Sequence, residues 1–206
     1  MRDEKISDFL DRLAAREPAP GGGASAALHA AQAAALLGMV ARYSTGEKYA
    51  AHRQIIERII TETDQLRSAA LRLAEDDMAA FTAVAHAYRL PKTTGDEQAA
   101  RSAAIADALV GAGRPPAEVI GIAQAVVDLA GQLLPIGNRN VVTDIAAATE
   151  AARAAATTAR VNVEINLGGI TDERARGELA AAVANVDALA DRAEQLTAAV
   201  RKDITR

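Results

Sequence analysis

From Tyr49 to Tyr88 the chain contains neither proline nor glycine. A run of that length without a breaker predicts one helix about 60 Å long. Its seam repeats at heptad spacing through Ile56, Thr63, Ala70, Asp77 and Val84, with Ile59, Leu66, Leu73 and Ala80 alongside. A rod of these proportions buries its apolar stripe by lying against other helices, so the expected fold is all-α. Asp77 is foreign to the seam. At that register it faces the core or a cavity, where an ionised carboxylate is costly unless paired. Its neighbour Asp76 falls off the stripe and belongs in solvent.

The other segments follow the same period. Asp3 to Ala14 places Ile6, Phe9, Leu10 and Leu13 on one stripe, and Pro18 and Pro20 mark its end. Ala24 to Tyr43 carries Ala27, Ala30, Ala34 and Gly38 at near-helical spacing, a small-residue face suited to close packing, and Ser44-Thr45-Gly46 breaks it. Further helices are predicted from Asp96 to the Gly111–Gly113 region, from Pro116 to Leu134, and from Thr143, a candidate cap. Val161 to Leu167 alternates as a strand does. With no second strand to pair with, it reads as the end of a helix closed by Gly168-Gly169. Thr171, followed by Asp172 and Glu173, is expected to cap a last helix running to the C-terminus. No linker or internal repeat divides residues 1–206, which read as one domain: a single antiparallel helical bundle with one very long helix.

Composition narrows the function. Half of the residues are apolar but only 2% are aromatic, and alanine dominates. Alanine allows close helix approach yet buries little area per residue, so a shared dimer core is a natural remedy. A net charge of −4 argues against nucleic-acid binding. The absence of cysteine removes disulfides, thiolate nucleophiles and Cys-type zinc sites. His29, His52 and His86 lack metal-ligand spacing, so no metal is expected. The longest apolar runs read as interrupted by charge, giving no expected membrane span. The charged N-terminus lacks a signal-peptide core, which makes the cytoplasm the expected location.

Unusual residues gather in three loops, each beside a helix end. Pro18-Ala-Pro-Gly-Gly-Gly23 opens the second helix; its glycines serve equally as a tight elbow between helices or as bare amides facing a polar ligand. Leu90-Pro-Lys92 and Gly137-Asn138-Arg139-Asn140 bring cations and amides. Asn162 and Asn166 share a helix face, able either to read a ligand or to cross-link helices. Asp144 fits a first-turn helix acid as well as a functional one.

Taken in order, seven landmarks resemble the cyclodeaminase/cyclohydrolase family of folate enzymes, which includes the C-terminal domain of formiminotransferase-cyclodeaminase. They are Pro18 to Ser25, Met39-Val40 with Ser44-Thr-Gly46, Asp77 with Ala80-Phe81, Leu90-Pro-Lys92, Gly137-Asn138 with Thr143-Asp144, Asn162 to Asn166, and Ile170-Thr-Asp172. Ser44 stands where threonine is common, Thr143 replaces a usual serine, and Glu47 sits where a basic residue often follows the glycine. The resemblance implies an all-helical homodimer acting on a tetrahydrofolate derivative, without metal or redox cofactor, with a separate formiminotransferase as a potential partner. It implies two reactions: cyclodeamination of 5-formiminotetrahydrofolate to 5,10-methenyltetrahydrofolate, placed first, and hydrolysis of the methenyl compound to 10-formyltetrahydrofolate. Both pass through a tetrahedral carbon and need proton transfer. On this basis Asp77 is the first acid/base candidate, its pKa expected to rise with burial. Asp144 is the second carboxylate, either sharing proton transfer or binding the amino-pyrimidine edge of the pterin; Lys92, grouped with these two as catalytic, and Arg139 hold the glutamate tail or stabilise negative charge. Gly21, Gly22, Gly23, Ser25, Asn138, Asn140, Asn162 and Asn166 shape or read the substrate. The rival classes are a non-catalytic helical dimerisation module and an enzyme acting on another small amidine or iminium compound.

Overall fold

The structure, a computed structural model, describes residues 3–205. Seven α-helices lie among the described residues: α1 (Ile6–Ala14), α2 (Gly22–Tyr43), α3 (Arg53–Ala87), α4 (Gly95–Leu133), α5 (Val142–Leu167), α6 (Glu173–Val183) and α7 (Val186–Ile204). Short 3₁₀ turns precede α3 (Glu47–His52) and α5 (Arg139–Val141). No strand occurs among the described residues. Val161–Leu167 is indeed the end of α5, followed by Gly168.

Helix α2 is the centre of the bundle and packs against α3, α4 and α5. Ala27, Ala30 and Ala34 are fully buried. Gly38 shows how close the helices come: a Cβ there would stand 2.8 Å from Thr63 Oγ1 on α3. Dense contact between small side chains replaces the area that larger ones would bury. On α3 the heptad seam faces this core through Ile56, Ile59, Thr63, Ala70 and Leu73. Beyond Ala74 the seam opens, and Asp77, Ala80 and Val84 are only half-buried.

Several boundaries depart from the sequence reading. There are two very long helices, not one: α3 has 35 residues and α4 has 39. The breaker-free run begins as a 3₁₀ turn, so α3 starts at Arg53 instead of Tyr49. Helix α4 passes straight through Pro115 and Pro116, where two helices were expected. An interior proline costs about 3 kcal/mol. Here both prolines are buried among Gly113, Val119 and Ile120, and Gly113 leaves room for Leu179 of α6 to seat against the joint. Tertiary packing therefore overrides the local breaker. A complete capping box, Thr94 with Glu97, starts this helix.

Thr143 does not cap α5. Helix α5 begins one residue earlier, while Asn138 caps the preceding 3₁₀ turn by accepting the Asn140 N–H at 3.0 Å. Asp172, not Thr171, caps α6, because its carboxylate accepts the Ala175 N–H. The expected last helix is interrupted at Ala184-Asn185 into α6 and α7. The first helix starts at Ile6 and touches the bundle mainly through buried Phe9; Ile6 and Leu10 remain 80% and 54% exposed. The expectation that charge interrupts every apolar run fails for α2, which by length and composition alone could cross a membrane. That helix is mostly buried in the middle of the bundle.

Candidate active site

The triple glycine, the open end of the α3 seam and the end of α5 meet in one cavity of about 450 Å³. The Ala19–Pro20 bond that leads into it is cis. Gly21 is the N-cap of α2 with extended backbone, and its carbonyl accepts both the N–H and the hydroxyl of Ser25 at 3.0 Å. The Ser25 side chain thus braces the turn from within. Gly22 and Gly23 form the first turn of α2. A Cβ on Gly22 would come 3.3 Å from Asn162 Nδ2, and one on Gly23 only 2.0 Å from Asp77 Oδ1. Position 23 is glycine because the Asp77 carboxyl occupies the space a side chain would need.

Asp77 accepts the backbone N–H of Ala24, one of the amides that the start of a helix leaves without an internal partner. Burial pushes its pKa above the ordinary carboxylate value, and the Ala24 hydrogen bond only partly offsets that rise. Desolvation therefore wins over the amide. The result is a carboxyl able to both take and return a proton. Beside it, Asn162 Nδ2 donates to Thr158 O (2.8 Å) and Asn166 Nδ2 to Asn162 O (2.7 Å). With those amino groups held by the helix, the two amide oxygens remain as acceptors. This end of the cavity is acceptor-rich and suits a ligand edge bearing N–H groups.

The rest of the cavity is hydrocarbon. Phe81, Val84 and Tyr88 continue along the α3 face from Asp77 at helical spacing, opposite Leu109 and Ala112 of α4, with Ile165 at the rim. The series 77, 81, 84, 88 was available in the sequence as a stripe. The contribution of α4 was not, because it depends on how that helix lies over α3.

The other sequence candidates lie elsewhere in the chain. Asp144 is half-buried in the first turn of α5, eighteen residues and hence about 27 Å along the axis from Asn162. Asn138 donates its N–H to buried Ser44 Oγ (2.8 Å) and its Nδ2 to Tyr43 O (2.9 Å). Arg139 pairs with Asp203 at 2.6 Å, and Asn140 is exposed. A separate cleft of about 150 Å³ adjoins Ser44-Thr45-Gly46 in this region. Lys92 is exposed in its loop, and its carbonyl accepts from Gln98. Glu47 is exposed in the 3₁₀ turn. No group of three His, Asp or Glu side chains is placed to hold a metal among the described residues. None of the three histidines lines the cavity.

A helical bundle that presents one proton-exchanging carboxyl, set by a glycine turn at the head of an apolar slot, has the makings of an acid/base enzyme for a small, partly aromatic substrate. Residues 5–185 match the family described as formiminotransferase-cyclodeaminase. The chain is 38% identical over 177 residues to the methenyltetrahydrofolate cyclohydrolase of Methylorubrum extorquens, covering 85% of each. It is 31% identical to the formimidoyltransferase-cyclodeaminase of Mus musculus, matching 84% of this chain but only 32% of that protein. The formiminotetrahydrofolate cyclodeaminase of Thermotoga maritima superposes with a TM-score of 0.86 at 28% identity, over 100% of this chain and 99% of that one. The chain belongs to the formiminotransferase-cyclodeaminase family and is an enzyme of its folate one-carbon cyclodeaminase and cyclohydrolase group.

Proposed function

We propose that this protein hydrolyses 5,10-methenyltetrahydrofolate to 10-formyltetrahydrofolate, with Asp77 as its acid/base residue. The observation that carries the reading is the Asp77 carboxyl, held against Gly23 in the cavity with its pKa raised by burial. The methenyl carbon is cationic and electrophilic. Asp77 takes a proton from water as the oxygen bonds to that carbon, giving a neutral tetrahedral carbinolamine. The same carboxyl then returns the proton to N5 as the carbon–N5 bond breaks. Loss of the hydroxyl proton forms the formyl group on N10, so one water is consumed and one proton released. The amide oxygens of Asn162 and Asn166 accept from the amino-pyrimidine edge of the pterin, and the glycine turn lets that ring lie close to the backbone. The sequence is hydrolytic and involves no change of oxidation state.

The order of the two reactions thus reverses that of the sequence reading. Similarity to a cyclohydrolase over 85% of both chains favours hydrolysis. The second reading, cyclodeamination of 5-formiminotetrahydrofolate, is favoured by the overall likeness to the Thermotoga maritima enzyme. There Asp77 would protonate departing ammonia after N10 attacks the formimino carbon. A homodimer, expected from the alanine-rich core, and a cytoplasmic location complete the proposal.

Methenyl absorbance separates the readings. The purified protein is incubated with 5,10-methenyltetrahydrofolate and, separately, with 5-formiminotetrahydrofolate, and the uncatalysed ring opening is subtracted. Accelerated loss of the methenyl band supports hydrolysis. Its appearance from the formimino substrate, without accelerated loss, moves the assignment to cyclodeamination. Silence in both rejects both reactions and leaves the two rivals, an enzyme for another small amidine or iminium compound and a helical dimerisation module.

A further inference from the structure

Arg101 does not itself line the cavity but stands against Tyr88, the lining residue farthest along the α3 face from Asp77. Its guanidinium lies over the ring of Tyr88, with Cζ 5.6 Å from the centroid, and Nη2 donates to Tyr88 O at 3.1 Å. Tyr88 is itself a wall of the cavity. Nε of Arg101 is buried without a hydrogen-bond partner, a rare and costly state for an arginine donor. The nearest carboxylate in sequence on this helix, Glu97, is turned away. Its Oε2 accepts the N–H groups of Thr93 (2.7 Å) and Thr94 (3.0 Å) in the capping box. No ion pair neutralises Arg101 among the described residues. By contrast Arg139 is satisfied by Asp203.

Scale and chemistry fit a particular ligand. Asp77 and Tyr88 are eleven residues apart on α3, so the slot extends about 16 Å along that helix. A molecule engaging both ends is long, with N–H groups at the head, an aromatic middle beside Phe81 and Tyr88, and an anion at the tail. The planar fork of arginine matches a carboxylate better than a lysine ammonium does. We propose that Arg101 is the tail-binding residue, taking the α-carboxylate of the substrate's glutamate while Tyr88 holds the guanidinium in place. The inference rests on the folate reading above and adds a specificity determinant to it.

The test compares two substrates and three proteins. The substrates are 5,10-methenyltetrahydrofolate and its truncated form 5,10-methenyltetrahydropteroate, which lacks the glutamate. The proteins are wild type, Arg101→Gln and Arg101→Lys, each checked for folding by thermal melting. With the full substrate, Arg101→Gln should raise KM roughly tenfold to a hundredfold with little change in kcat, the loss of one charge-assisted contact. Arg101→Lys should recover part of that loss. With the truncated substrate, wild type should already show the raised KM and Arg101→Gln should add nothing further. An unchanged KM for the full substrate in Arg101→Gln, or an equal rise for both substrates, would overturn the assignment. So would a wild-type KM indifferent to truncation, a result that does not depend on any variant folding. If wild type consumes neither substrate, the hydrolytic reading fails and this inference falls with it.

Discussion

Gly23→Ala tests the geometry of the site directly. The added Cβ would stand 2.0 Å from Oδ1, 2.4 Å from Cγ and 2.6 Å from Oδ2 of Asp77. Comfortable carbon contacts begin near 3.5 Å, so the carboxyl must retreat by roughly 1.5 Å. It sits at the end of a rotatable side chain, and the bundle can absorb that movement. Alanine is also favoured over glycine in a helix by about 0.5–1 kcal/mol, which offsets part of the strain. Stability should therefore change by no more than about 1 kcal/mol. Catalysis is less forgiving, since a misplacement of about 1 Å costs on the order of 100-fold. Neighbouring glycines provide graded controls: at Gly22 the Cβ meets Asn162 Nδ2 at 3.3 Å, and at Gly21 it meets nothing within 4 Å. Initial rates from methenyl absorbance should fall most steeply for Gly23→Ala and less for Gly22→Ala and Gly21→Ala, whose added methyls do not displace Asp77, with similar melting temperatures. Normal turnover in Gly23→Ala, or a rate loss that merely follows lost stability, would refute the reasoning.

Three further outcomes are expected. Because burial raises the folded-state pKa of Asp77, its contribution to stability is complete only below the ordinary value of 3.8 and is lost as pH rises through the folded pKa. Asp77→Asn should thus melt at or above the wild-type temperature at neutral pH, the difference closing on acidification, while the acid limb of wild-type kcat/KM lies above the ordinary carboxylate range. In turnover, Asp77→Asn should lose about 100-fold or more, and Asp144→Asn far less, given the length of α5 between Asp144 and the cavity; equal losses would mean that a partner protomer carries Asp144 to the site. Ser44→Ala should cost about 1–3 kcal/mol in denaturant unfolding, because Ser44 is fully buried and its hydroxyl links Val40 O to the Asn138 N–H.

Much of the site was legible in the chain. A carboxylate on an otherwise apolar heptad seam announced Asp77, since helix periodicity alone fixes which residues share a face. The same rule paired Asn162 with Asn166, and it also puts Phe81 and Tyr88 on the Asp77 stripe, although the heptad seam singled out Ala80 and Val84 instead. Three unusual loops, each beside a helix end, stood out in the sequence without showing which of them meet. Of the three, the glycine turn joins Asp77, while the Gly-Asn-Arg-Asn loop anchors to Ser44 and Tyr43 at the other end of α5. Helix ends carry no record of which other ends they meet, because that depends on crossing angles and connection lengths.

Local chemistry determined that this chain is helical, where its apolar stripes run, and which polar residue interrupts one of them. Those properties follow from backbone sterics and side-chain period within a few turns of each residue. Tertiary structure alone decided that α4 continues through two prolines, that Leu109 and Ala112 line the same cavity as Asp77, and that Arg101 rests on Tyr88 without a carboxylate. Each of these compares a local cost with contacts made by residues distant in the chain, and that balance exists only once the helices are packed.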